Sequence, residues 1–133
     1  MQFMRKIKKK NYWDYFYRKK NPPIAASPFA QFVFKRIRKK KFKVFDIGCG
    51  NGRDTIFFLK KKIDCTGVDK SKEVIHLNKR KFKFFKKKFL NYNFCNFFKK
   101  KLDQDFIVYS RFTWHTINYK SEKNLLKNLK TNK

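Results

Sequence analysis

The stretch VFDIGCGNGRD, Val44 to Asp54, gathers three of the chain's four glycines in a sequence otherwise rich in Lys, Phe and Asn. The apolar run Phe42 to Ile47 that leads into it is a candidate buried strand, and Asp54 to Lys62 reads as the helix that leaves it, with Ile56, Phe57, Leu59 and the nearby Ile63 as apolar content. Working outward, Ser27-Pro28 has the form of a helix N-cap followed by proline at the first helical position. The helix it opens, Phe29 to about Lys39, carries Phe29, Phe32, Val33 and Ile37 at helical spacing. Beyond the glycines, Ile63 to Asp69 is a second strand ending in an acid, and Ser71 can cap a helix reaching Arg80. Lys81 to Leu90 alternates Lys and Phe, the pattern of a third strand with one buried face, whereas Asn91 to Lys101 has no clear period. Asp105 to Ser110 is a fourth strand, rich in β-formers, and a helix with Leu125, Leu126 and Leu129 begins near Ser121. Strands and helices alternating at this spacing predict a parallel sheet in an α/β layer architecture.

Composition bounds what such a sheet can do. The 133 residues suffice for one domain and one modest core, here read as residues 28–133 behind a basic, aromatic arm and linker over residues 1–27. Asn11 to Lys20 reads as a short helix or an irregular part of that arm. The formal charge of +28, from 37 basic against 9 acidic residues, suits a nucleic-acid partner. The lysines nevertheless run along the whole chain, and Lys, Asn, Phe and Ile are the residues of A- and T-rich codons, so compositional drift is the reading favoured. Cys49, Cys65 and Cys95 lack CxxC spacing and a paired His, which argues for packed, reduced thiols and against zinc. No apolar run approaches a signal peptide or a membrane span, so a cytoplasmic location is expected.

In a sheet of this kind ligands bind beyond the carboxyl ends of the strands, at a turn where the backbone can be approached closely. The spacing Gly48-Cys49-Gly50-Asn51-Gly52 is GxGxG, while the dinucleotide fingerprint is GxGxxG. A pyrophosphate needs a helix N-terminus; a ligand bearing an ammonium group favours the carboxylate that Asp46 supplies two residues before Gly48. Asp69, at the end of the second strand, suits the hydroxyls of a ribose. Cys49 reads as a small filler in the turn. Asn21 to Ile24, NPPI, is similar to the segment with which amino-methyltransferases hold a flipped adenine, but it follows a basic stretch and reads better as a proline linker.

DIGCGNG, with the acid of GVD beyond the intervening helix, resembles the class I S-adenosylmethionine-dependent methyltransferases. SPFAQFV before the first strand and VYSRFTWHTI after the fourth are similar to a bacterial subgroup that carries GCGNGRD and YSRF and is often found with sugar and surface-polysaccharide genes. The resemblance runs from about Tyr12 to Asn118. It implies a Rossmann-like parallel sheet with helices on both faces, the first four strands of a seven-stranded sheet being present. The chain is then expected to be C-terminally truncated, or complemented by a second chain.

The resemblance also assigns roles. It implies S-adenosylmethionine as cofactor, with Gly48, Gly50 and Gly52 under its methionine part, Asp46 beside that part and Asp69 on both ribose hydroxyls. Cys49, Asn51, Lys70, Asn91 and Ser110 complete the implied cofactor set, Asn91 or Asn93 standing where the family usually has an acid for the adenine amino group. Ser110 and Arg111 would face the reaction cleft, and Arg111 and His115 are the candidates for a catalytic role, with Trp114 a possible platform or a packing residue. The expected acceptor is a small molecule or a sugar-linked intermediate. The alternative is a basic nucleic-acid-binding protein or an RNA methyltransferase. No metal is required.

Overall fold

The computed structural model describes residues 16–17 and 22–132, so most of the N-terminal arm, including the segment Asn11 to Lys20 apart from residues 16–17, lies outside the described residues. Helix α1, Pro28–Ile37, precedes strand β1, Lys43–Ile47; helix α2, Arg53–Lys60, leads to strand β2, Cys65–Asp69, and helix α3, Lys72–Lys81, to strand β3, Phe89–Asn91. Strand β4, Phe106–Tyr109, and helix α4, Tyr119–Lys130, follow. Short 3-10 helices occupy Lys83–Lys88, Phe94–Lys99 and Trp114–Thr116.

The four strands form one sheet in the order β3-β2-β1-β4, every neighbouring pair parallel. Val44 lies opposite Cys65 on one side and Ile107 on the other, so residues in phase share a face. Val44, Cys65, Ile107 and Tyr109 turn toward Ala30 and Ile37 of α1 and Phe58 of α2. Phe45, Ile47, Val68, Phe106 and Val108 turn the other way, toward Phe94, Phe98, Leu125 and Leu129. The sheet is thus a Rossmann-like layer with helices on both faces. Among the described residues no helix is long and apolar enough to cross a membrane.

Helix starts follow local chemistry. The Ser27 hydroxyl accepts from the Ala30 amide at 3.1 Å and Pro28 fills the first helical position, while Ser71 caps α3 by accepting from Val74 at 3.2 Å. The inward stripe of α1 departs from expectation. Ala30 and Ile37 are buried with Val33 and Phe34 beside them, and Phe29 and Phe32 are exposed. A helix docked this closely to the sheet admits a small residue at its first contact, and Phe29 instead stacks on Tyr109 with centroids 5.2 Å apart. On α2 the fully buried hydrophobic residue is Phe58, which sequence reading passed over, and on α4 Leu126 points outward.

The third strand needs the largest correction. Lys83–Lys88 is a 3-10 helix and β3 begins only at Phe89. Phe82, Phe85 and Phe89 pack together over Ile75, while Phe84 is 91% exposed, so the alternating phenylalanines do not share a face. A lysine–phenylalanine alternation cannot distinguish a strand from a tight helical turn when the segment is this short. The three cysteines are free and buried, as expected of packed thiols.

Candidate functional site

Strand β1 feeds α2 on one face of the sheet, and β4 feeds the segment leading to α4 on the other. Their carboxyl ends therefore part, and a crevice opens between them. A cavity of about 370 Å³ lies there, within the range of small-molecule sites. A second cavity, of about 620 Å³, adjoins it across Tyr17, Pro22, Pro23 and Asn51. Its other lining residues among those described, from Ile24 to Lys81, include no carboxylate, and the acids converge on the first.

The glycine turn shapes one wall. Gly48, Gly50 and Gly52 all have positive φ, at +69°, +54° and +75°. At Gly48 a Cβ would run into the Thr113 side chain, and at Gly50 into the Tyr17 hydroxyl. The bare backbone thus lets the post-β4 segment and the arm close against the turn. Asn51 ties the arm down by donating from Nδ2 to the Pro23 carbonyl at 2.9 Å.

Three carboxylates define the chemistry. Asp69, at the end of β2, accepts the Gly50 amide at 3.0 Å and the Ser71 amide at 2.9 Å, one on each oxygen. A carboxylate is an acceptor-only group at neutral pH and takes hydrogen bonds from hydroxyl and amide donors. Asp46 is 4% exposed and accepts from the Thr55 hydroxyl at 2.6 Å. Burial drives its carboxyl up to about 7, against the Thr55 hydrogen bond, and the neighbouring charges of Asp54 and Asp69 add to the rise.

Asp54, also 4% exposed, is surrounded by donors. Its Oδ1 accepts from the Ser27 amide at 2.8 Å, and its Oδ2 accepts from the Ser27 hydroxyl at 2.8 Å and the Tyr109 hydroxyl at 2.7 Å. Arg111 Nε stands 3.3 Å from Oδ2, and Arg53 Nε 3.9 Å from Oδ1. Burial and the bond to Asp54 raise the Tyr109 phenol, and burial with the nearby Asp69 pushes Tyr17 up to about 12, so both stay protonated at neutral pH. Burial likewise pushes the Cys49 thiol well up, which suits a filler.

Of the residues singled out from sequence, Asp46, Gly48, Cys49, Asn51, Asp69, Lys70 and Arg111 line the cavity. Gly50 contributes its amide to Asp69, and Gly52 lies against Phe89 and Asn78 and starts α2. Asn91 is exposed and donates to the Asp69 carbonyl, while Asn93 caps the 3-10 helix that follows it. Ser110 is off the lining, but its buried hydroxyl finds no hydrogen-bond partner among the described residues. His115 is exposed, and Trp114 donates its indole N–H to Glu122 at 2.6 Å in a packing role.

Sequence reading missed Tyr17, Arg53, Asp54, Phe94 and Thr113 on the lining, with Ser27 and Tyr109 behind it. For Asp54 a signal existed. Ser27, Asp54, Tyr109 and Arg111 belong to the three segments SPF, GRD and YSR that carried the subgroup resemblance, and the fold brings those segments to one carboxylate.

A family model described as a methyltransferase domain matches residues 44–132, from β1 through α4. The chain belongs to the methyltransferase domain family. A solved structure from work on the conversion of a disulfide bond into a thioacetal group during echinomycin biosynthesis superposes with a TM-score of 0.68 at 20% identity. The match covers 92% of this chain and 55% of that one, so the chain spans about half the length of that protein. No curated protein sequence matches significantly. The family match covers the glycine turn, Asp69 and Arg111, and the shared fold covers the crevice between β1 and β4.

Proposed function

We propose that the chain binds S-adenosylmethionine in the cavity at the β1–β4 crevice and serves methyl transfer to a small-molecule or sugar-linked acceptor, as the subgroup resemblance suggests, inside the cell. The observation that carries the reading is the Asp69 carboxylate, held by the Gly50 and Ser71 amides at the cavity wall beside a glycine turn too tight for side chains. The donor set fits the cofactor. Asp69 brings to the cavity wall a carboxylate of the kind that accepts from a ribose diol, and Asp46 offers negative charge to an ammonium group. Cys49, Asn51 and Lys70 complete the wall, and Phe94 provides an aromatic surface.

When bound, the cofactor supplies a methyl group on a sulfonium, ready for in-line displacement. The chain's own residues then have to orient the two reactants and exclude water. Tyr17 and Pro23 close one side of the cavity, and Thr113 packs at the glycine turn. No general base is assigned, because an acceptor that is already nucleophilic needs none.

Calorimetric titration of S-adenosylmethionine, with NAD as control, into the chain and its Asp69→Ala variant tests the reading. Saturable binding of the methyl donor alone, weakened about a hundredfold in the variant by loss of charge-assisted hydrogen bonds, supports it. A chain that melts cooperatively and binds neither ligand refutes it.

A further inference from the structure

The arrangement around Asp54 does more than brace the fold. Arg111 follows β4 and lines the cavity, and its Nε is fixed at 3.3 Å on Asp54 Oδ2 while its guanidinium lies over the Phe112 ring at 5.0 Å. Among the described residues Asp54 is the one carboxylate within ion-pairing distance of it. An arginine held through Nε keeps its two terminal nitrogens as a planar fork, the geometry that grips a carboxylate in bidentate fashion. Asp54 in turn is fixed by Ser27 and Tyr109, so the fork is set by residues from three separate segments.

We infer that Arg111, positioned by Asp54, is a binding site for a carboxylate of the ligand. The inference rests on the proposed function and deepens it. The sheet order gives the direction: Asp69 ends β2, Arg111 follows β4, and β1 with its glycine turn lies between them. A ligand with its diol at Asp69 and its body across the turn brings its far end to Arg111. That carboxylate is either the one on the cofactor's amino-acid end or one on the acceptor. Asp54 is a positioning residue, because its two oxygens are engaged by Ser27, Tyr109 and the guanidinium it holds.

The test compares S-adenosylhomocysteine with 5′-methylthioadenosine, the same nucleoside thioether without the amino-acid end, and adds succinate as a simple carboxylate. Each is titrated calorimetrically into the full chain and its Arg111→Met, Arg111→Lys and Asp54→Asn variants, with melting curves run alongside. If the carboxylate is the cofactor's, Arg111→Met weakens S-adenosylhomocysteine about 10- to 100-fold and leaves 5′-methylthioadenosine unchanged. Arg111→Lys then restores part of the loss. If the carboxylate is the acceptor's, both nucleosides bind the variants normally and succinate binds the nucleoside-loaded wild type but not loaded Arg111→Met.

Asp54→Asn shifts the same ratio in the same direction, by a smaller factor; a purely structural role would weaken both nucleosides together. Equal behaviour of all three probes in wild type and Arg111→Met overturns the inference. Should folded wild type bind neither nucleoside, the cofactor reading falls, and the carboxylate site then stands or falls on whether succinate binds wild type and not Arg111→Met.

Discussion

Asp46 and Asp54 are two carboxylates of the same cavity, equally buried at 4% exposure, with opposite surroundings. Asp54 collects three hydrogen bonds and a guanidinium, so its charge is matched inside the protein. Asp46 has the Thr55 hydroxyl, and burial raises its carboxyl to about 7. One acid is satisfied by its own chain and holds the walls together; the other is left wanting a cation. On the proposed reading, stability and binding fall to these two different residues of one cavity wall.

The largest effect is expected at the satisfied acid. Asp54→Ala leaves Arg111 without its counter-charge and strands the Ser27 and Tyr109 donors, at a cost of about 3–5 kcal/mol. Urea unfolding measures it, and a loss below about 1 kcal/mol would mean that the network is ornamental. At the unsatisfied acid the sign reverses. Between about pH 4 and 7 native Asp46 keeps a proton that the unfolded chain releases, so stability falls as pH rises through that window and levels off above 7. Asp46→Asn removes the penalty, on the order of a few kcal/mol at pH 8, and flattens the profile. Melting temperatures of the two proteins at pH 5 and pH 8 check it; a wild type as stable at pH 8 as at pH 5 would contradict the burial argument.

This contrast was only half legible in the sequence. The alternation of strands and helices, the glycine turn and the two strand-end acids followed from periodicity and spacing, because each depends on neighbours within a few residues. Asp54 reads as an ordinary acid in the first turn of a helix, and nothing local says that Ser27 and Tyr109, 27 and 55 positions away, donate to it. The same holds for Tyr17, which lies against Gly50 although it is distant from it in sequence. At β3 the failure was of another kind. Alternation suggested one buried face, but packing chose Phe82, Phe85 and Phe89 and left Phe84 in water.

A smaller perturbation probes the wall between the two acids. Gly50→Ala places a Cβ against the Tyr17 hydroxyl at φ +54°, for a loss of about 1–3 kcal/mol. Tyr17→Phe in the same background should recover part of that loss. Double-mutant stability measurements give the coupling, and strict additivity would show that the arm does not close on the turn.

The smallest effect, and the one that ties the comparison to function, is protonic. If Asp46 receives the ligand's ammonium group, binding requires the carboxylate, and below about pH 7 the free protein must give up a proton to form it. Affinity for S-adenosylhomocysteine then climbs by up to about tenfold per pH unit toward pH 7 and flattens beyond it. It falls again only where the ligand's own ammonium deprotonates. Titrations at pH 6 in buffers of different ionisation heat count the proton directly, with about one released by wild type and none by Asp46→Asn. Asp54→Asn should still release it, since its charge is matched within the protein before the ligand arrives. A wild type whose binding heat is the same in every buffer at pH 6 would separate Asp46 from the ammonium and leave both acids with structural roles.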